Sequence, residues 1–151
     1  MKYFLILLTS EFFFTSGVKA QTAEDSVKIV INQLFDAMRN ANAAELKETF
    51  ADSAILQTIG RNKEGGFYVQ NEKVNDFADL IGTIKKDSAD ERIIFESIKI
   101  DGPLASVWAP YRFYYAGKLS HCGVDSFQLV RINGRWKIQY LVDTRRKQGC
   151  E

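Results

Sequence analysis

The sequence predicts an α+β domain in which three N-terminal helices pack on a mostly antiparallel sheet. Apolar residues recur at helical spacing through the first half of the chain. The stretch from Val107 to Arg146 is instead rich in aromatic and β-branched residues, which favour a pleated, half-buried surface. Helices first and long strands afterwards is the order that segregates helices to one face of a sheet.

The first twenty residues read as a secretory signal, which sets the domain at 21–151. Lys2 supplies a short positive region, Tyr3 to Leu8 an apolar run, and Val18-Lys19-Ala20 a small-residue cleavage pattern before Gln21. Glu11 is an awkward charge in that region, and a buried N-terminal helix is the alternative. The apolar run is too short to span a bilayer as a helix, so no stable membrane span is expected. With no cysteine just after the cleavage site, a lipid anchor is not expected either.

The helices follow. Thr22-Ala23-Glu24-Asp25 starts the first, with acids favourable at its positive end. Val27, Val30, Ile31, Leu34, Phe35 and Met38 then mark one apolar face. Asn42 with Glu45 forms a capping-box-like start for a second helix carrying Ala43, Leu46 and Phe50. Residues 54–59 read as a short strand, 61–66 as a polar turn and 67–70 as a brief strand. A third helix runs over 72–81, with Val74, Phe77, Ala78 and Ile81 on one side. A solvated loop at 85–90 leads into a strand over 92–100, turned at Asp101-Gly102.

The last three strands are joined by Ala116-Gly117 and Asn133-Gly134, the latter the strongest short hairpin signal because a type I′ turn needs positive φ twice. Two-residue turns fix a register. Arg112 then opposes His121, Trp108 opposes Asp125, Phe127 opposes Tyr140, and Glu91 opposes Arg112. Directly opposed residues share a face. Trp108, Arg112, Tyr114, His121, Asp125, Phe127 and Tyr140 therefore form one wall of a pocket, the candidate ligand-binding set. A bulge would transfer part of this set to the other face, the risk being greatest near Pro110, which cannot donate to the ladder.

Composition narrows the function. A chain of 151 residues with 46% apolar and 26% charged residues suits one globular domain. Its net charge of +1, with signs interspersed, carries no concentrated basic footprint, so no nucleic-acid partner is expected. One histidine and scattered acids do not make a metal site, and no phosphate loop or dinucleotide fingerprint occurs, so no cofactor is expected. Cys122 and Cys150, meeting an oxidising periplasmic or extracellular compartment, would form a disulfide stabilising the fold by about 3–4 kcal/mol. In the predicted register Cys122 lies opposite Arg145, and Gly149 lets the tail turn back. The alternative, a reactive thiol beside His121, is disfavoured because strand neighbours point to opposite faces.

The segments LKETFADSAILQ and VWAPYRFYYAGKLSHCGVDSFQLVRINGRWKIQYLVDTRRKQGC resemble the nuclear transport factor 2-like superfamily, and within it an exported bacterial branch labelled "putative lumazine-binding". The resemblance spans Thr22 to Cys150. It implies a cone-shaped, cystatin-like roll: a strongly curved sheet enclosing a cavity against the helices. The superfamily includes ketosteroid isomerases, polyketide cyclases and scytalone dehydratase, and the scaffold implies no single reaction.

Three uses stay open. The first is an exported binding domain for a small hydrophobic or aromatic molecule, with Arg112 and His121 orienting a carbonyl, enol or carboxylate group. The second is an isomerase, cyclase or dehydratase in which His121 and Asp125 are catalytic, Tyr114 donating to an oxyanion. His121 and Asp125 lie roughly 13 Å apart along a strand, so they do not form an intimate dyad. The third is a homodimerisation module using an outer aromatic face of Tyr111, Phe113 and Tyr115.

Overall fold

The computed structural model describes residues 22–150, and the signal segment expected at 1–20 lies outside the described residues. The described chain runs α1 (Ala23–Arg39), α2 (Ala43–Thr49), β1 (Phe50–Arg61), β2 (Phe67–Glu72), α3 (Val74–Thr83), β3 (Ala89–Ile93), β4 (Ser97–Asp101), β5 (Leu104–Tyr115), β6 (Lys118–Ile132) and β7 (Arg135–Thr144). The sheet order is β2-β1-β7-β6-β5, with β3 and β4 both paired to the far side of β5. All pairs are antiparallel except β1 with β7.

Helices α1 and α2 begin where side chains replace missing backbone partners, whereas α3 has no side-chain cap. At α1 the Thr22 hydroxyl accepts the Asp25 N–H at 3.1 Å, while Asp25 accepts the Thr22 N–H at 3.3 Å. The Asn42 side chain caps α2 by accepting the Glu45 N–H at 3.1 Å. Between the two, the Asn42 N–H returns to the Ala37 carbonyl with Ala41 at φ +54°, a left-handed helix end built without glycine. Helix α3 begins two residues after the expected Glu72, which instead ends β2 opposite Leu56.

Val27, Ile31, Leu34, Phe35 and Met38 of α1 share one core with Val107, Phe127, Leu129, Trp136 and Ile138 of the sheet. Phe35 meets Phe127 edge-on at 6.3 Å between centroids. No described helix is long and apolar enough to cross a membrane.

Both hairpin turns fall where the sequence puts them, with positive φ at Ala116, Gly117, Asn133 and Gly134. The register beyond each turn does not. Tyr114 pairs with Leu119 as expected, but Phe113 then pairs with His121, so Ser120 is an extra residue on β6. Likewise Gln128 pairs with Tyr140 but Leu129 with Ile138, which leaves Gln139 extra on β7. Such bulges bend a strand and increase its twist, which a sheet curling round its helices requires. Gln139 is held by donating to the Ser53 carbonyl at 3.0 Å, where β1 also breaks register against β7.

The strand expected over 92–100 is two strands. Ile93 pairs with Tyr111 and Ser97 with Trp108, so residues 94–96 face only Ala109 and Pro110. Pro110 has no N–H to give the ladder, and its carbonyl accepts the Ile94 N–H.

Cys122 and Cys150 are joined by a disulfide with Cα atoms 5.6 Å apart. Cys122 pairs with Arg146 rather than Arg145, one residue beyond the predicted register.

Candidate functional site

A cavity of about 330 Å³ opens between the sheet, α1 and α3. Leu34, Phe35 and Met38 of α1 and Phe77, Leu80 and Ile81 of α3 supply an apolar side. The sheet supplies Tyr111, Phe113 and Tyr115 from β5, His121 and Asp125 from β6, and Leu141, Asp143 and Arg145 at the end of β7 and just past it. Glu72 and Glu91 complete the polar end.

The two bulges decide who is present. Among the residues of the predicted wall, His121 and Asp125 do line the cavity. Phe127 is fully buried in the core beneath it. The other four are on the outer face, because the extra residues Ser120 and Gln139 invert the alternation. Trp108 opposes Ser126 instead of Asp125 and is 46% exposed. Arg112 opposes Cys122 and donates its Nε–H to the Cys150 carbonyl at 2.9 Å. Tyr114 lies under the Arg92 guanidinium, 4.4 Å from its ring centroid. Tyr140 opposes Gln128 and donates its hydroxyl to Gln57 Oε1 at 2.6 Å. The same inversion turns Tyr111, Phe113 and Tyr115 inward, so the outer aromatic face expected from them does not exist.

Asp143 is the hub of the polar end. Its Oδ1 accepts the Thr58 hydroxyl at 2.6 Å and its Oδ2 accepts Arg145 Nε–H at 2.7 Å. Thr58 Oγ1 in turn accepts from an Arg145 terminal nitrogen at 2.9 Å. The Tyr111 hydroxyl lies 3.1 Å from Asp143 Oδ2 and 2.9 Å from the Thr144 carbonyl, with its proton available to either. Burial is the largest influence on Arg145 and opposes its charge, but the hydrogen bond to Asp143 together with the nearby charges of Asp143, Tyr111 and Glu91 raises the guanidinium above its ordinary value. Burial and then the charge of Asp143 push the Tyr111 phenol far up, so it stays a donor.

Glu91 and Asp125 meet as a carboxyl pair. Burial, with the nearby charge of Asp143, pushes Glu91 up to about 7 despite its hydrogen bond with Asp125. Asp125 is also raised well above the usual carboxylate range, by burial first and then by the charge and hydrogen bond of Glu91. Two adjacent carboxyls cannot both ionise cheaply, so the pair holds a proton at neutral pH. Asp125 Oδ2 is buried and receives no other donor among the described residues. Burial also raises Glu72, with Arg145 opposing.

His121 is half-buried, edge-on to Tyr111 at 5.8 Å and tilted against Phe113 at 5.0 Å. Its Nδ1 lies 3.1 Å from the bulge residue Ser120 Oγ. Burial and then Arg145 lower its pKa, which keeps the imidazole neutral at physiological pH. The arrangement can hold a planar group against aromatic rings and present to it a carboxyl pair, a phenol and a neutral imidazole.

Glu91 is visible in the sequence only as a partner for Arg112 or for His121. Asp143 and Arg145 belong to the charged run Asp143-Thr144-Arg145-Arg146, whose charges, on the sequence alone, could salt-bridge with the sheet edge or bind an anion. The signal that joins them is inward alternation on three strands, legible only once both bulges are placed. Among the described residues no group of acids, histidine or cysteine could hold a metal ion.

The family model described as "Putative lumazine-binding" matches residues 22–140. Solved structures with the same fold include a nuclear transport factor 2-like protein of unknown function from Shewanella baltica, at 14% identity and TM-score 0.63, covering 83% of this chain and 94% of that one. A second, from Methylobacillus flagellatus, has 18% identity and TM-score 0.63, covering 82% and 91%. A domain of unknown function with a cystatin-like fold from Nostoc punctiforme has 15% identity and TM-score 0.66, covering 87% and 82%. No curated protein matches the sequence. At such identities the structures establish a shared fold and nothing finer.

The raised Glu91 gives a sign to the pH dependence of stability. Its folded value, about 7, exceeds its ordinary 4.5, so its contribution is present below about 4.5 and is lost as pH rises through 7. Glu91→Gln is therefore expected to gain on the native protein between pH 4.5 and 7.5, by up to about 3 kcal/mol. Urea denaturation at both pH values measures this, and parallel stabilities would show that Glu91 is not the group responsible.

Proposed function

Because the chain belongs to the family described as "Putative lumazine-binding", in the nuclear transport factor 2-like superfamily, we propose that it is a binding protein for a small hydrophobic or aromatic molecule held in the cone. One observation carries this reading: an apolar cavity of about 330 Å³ ends in a few convergent polar groups. That combination of apolar walls and sparse orienting groups is the usual character of a small-molecule site. His121 and Asp125 keep the ligand-orienting role that their positions favour, and Tyr111 and Glu91 join them. Arg112 has no part in it.

The neutral fluorophore N-phenyl-1-naphthylamine tests the reading. Saturable fluorescence enhancement is expected, and Phe113→Trp, which fills the cavity, is expected to weaken it about tenfold, roughly 1.4 kcal/mol. Absence of saturable binding in the folded protein would end the proposal.

Export is part of the same reading. The signal-like segment and the Cys122–Cys150 disulfide both suit an oxidising periplasmic or extracellular compartment. Intact mass from a secreting host is expected to show cleavage after Ala20, and a product retaining Met1 would exclude it.

A second reading is favoured by the carboxyl pair. A proton held between Glu91 and Asp125, beside the Tyr111 phenol, is what an isomerase, cyclase or dehydratase needs to move a proton next to a carbonyl. In that case Asp125 and Glu91 exchange the proton, Tyr111 replaces Tyr114 as the donor to the oxygen, and His121 lines the same cavity as a neutral group. Deuterium exchange at the α-carbon of 2-tetralone, followed by NMR, separates the two readings. A catalyst accelerates exchange and loses the acceleration in Asp125→Asn, whereas a pure binder leaves the uncatalysed rate unchanged.

A further inference from the structure

With Arg112 on the outer face, the charge balance of the cavity is reversed from the one the sequence register suggests. The lining carries four carboxyl groups, Glu72, Glu91, Asp125 and Asp143, against the single guanidinium of Arg145. Arg145 is already committed to Asp143 at 2.7 Å and to Thr58 at 2.9 Å. The neutral His121 adds no charge. An anionic ligand would thus enter an acidic pocket in which the one lining cation is already engaged.

A donor would meet a different reception. Asp125 is only 2% exposed, and its Oδ2 has no hydrogen-bond partner among the described residues. A buried acceptor left short of donors carries a free-energy cost that a ligand N–H relieves. Beside it, Tyr111, Phe113 and Tyr115 line the cavity. Aromatic faces attract cations, and more strongly where water is excluded.

We propose that the cavity selects a flat nitrogenous base, an aromatic or heteroaromatic ring bearing an amidine-like or amino nitrogen, whose N–H groups bond the Glu91–Asp125 pair while the ring lies among the aromatic side chains. This rests on the small-molecule reading above and specifies the chemistry of the ligand. A protonated amidine presents parallel N–H donors, the geometry that carboxylates accept bidentately. Proton balance follows directly. Below about 7 both carboxyls are protonated, so as the cation enters Glu91 gives up its proton to solvent while Asp125 keeps its own, and the pair is left with one negative charge opposite one positive charge. Binding is therefore tighter above the value near 7 at which Glu91 titrates than below it. The ionisable groups that share the cavity lining with Glu91 are Glu72 from β2, Tyr111 and Tyr115 from β5, His121 and Asp125 from β6, and Asp143 and Arg145 at and just past the end of β7. The lining from α1 and α3 is apolar.

Benzamidine, benzamide and benzoate share one ring and differ only in this chemistry. Each is titrated against the purified protein by displacement of N-phenyl-1-naphthylamine at pH 5.5 and pH 8. Benzamidine is expected to compete at least about tenfold better than benzoate at pH 8. Its affinity is expected to rise between the two pH values, while that of benzamide stays level. Glu91→Gln and Asp125→Asn are each expected to narrow the benzamidine-over-benzamide preference. Should Asp125→Asn fail to fold, Glu91→Gln and the ligand series on the native protein still decide. Benzoate or benzamide equalling benzamidine in a protein that binds the dye overturns the proposal and leaves the small-molecule reading intact. Failure to bind the dye at all overturns both.

Discussion

A carboxylate set into the inner face of a curled sheet must be given donors, and Asp143 collects them from three strands. Thr58 on β1, Tyr111 on β5 and Arg145 just past β7 all converge on its two oxygens. Tyr111 reaches it only by leaning across β6, and Gly123 is what permits this. A Cβ there would lie 2.8 Å from the Tyr111 ring and 1.7 Å from the Thr144 carbonyl oxygen. The network ties β1, β5 and the end of β7 together across β6 at the polar end of the cavity. It also sets the field in which Glu91 and Asp125 titrate, since Asp143 raises both. Removing one donor would leave a buried charge undersatisfied, which costs more than the bond alone.

The fold was largely legible from local chemistry. Capping residues Thr22 and Asn42, the apolar stripe on α1 and the two β-turns are decided within a few residues of chain, and each stands where the sequence puts it. The alternation of strand burial was legible too, but its phase was not. Ser120 and Gln139 carry no bulge signature of their own, being ordinary polar residues between strand formers. They are extruded because a sheet wrapping α1 must bend, and that demand comes from the far side of the core.

A one-residue shift has a large effect on an inferred site. It exchanges Trp108, Arg112 and Tyr114 for Tyr111, Phe113 and Tyr115, and so replaces an arginine by a phenol. On β7 it exchanges Tyr140 for Leu141 and brings Asp143 inward. His121 and Asp125 kept their place because they lie on β6 beyond Ser120, on the same side of that bulge as each other. The chemistry of the pocket, acidic rather than basic, is thus a property of curvature as much as of composition.

The break between β3 and β4 has a consequence at the rim of the sheet. A strand running unbroken from 89 to 101 would leave a long free edge, a template onto which another extended chain could add. Pro110 opposite residues 94–96 divides that edge into two segments of five residues each, offset by a kink. The interruption that denies the sheet a continuous ladder also denies it a surface for edge-to-edge aggregation, a useful property for a chain this rich in β-branched and aromatic residues.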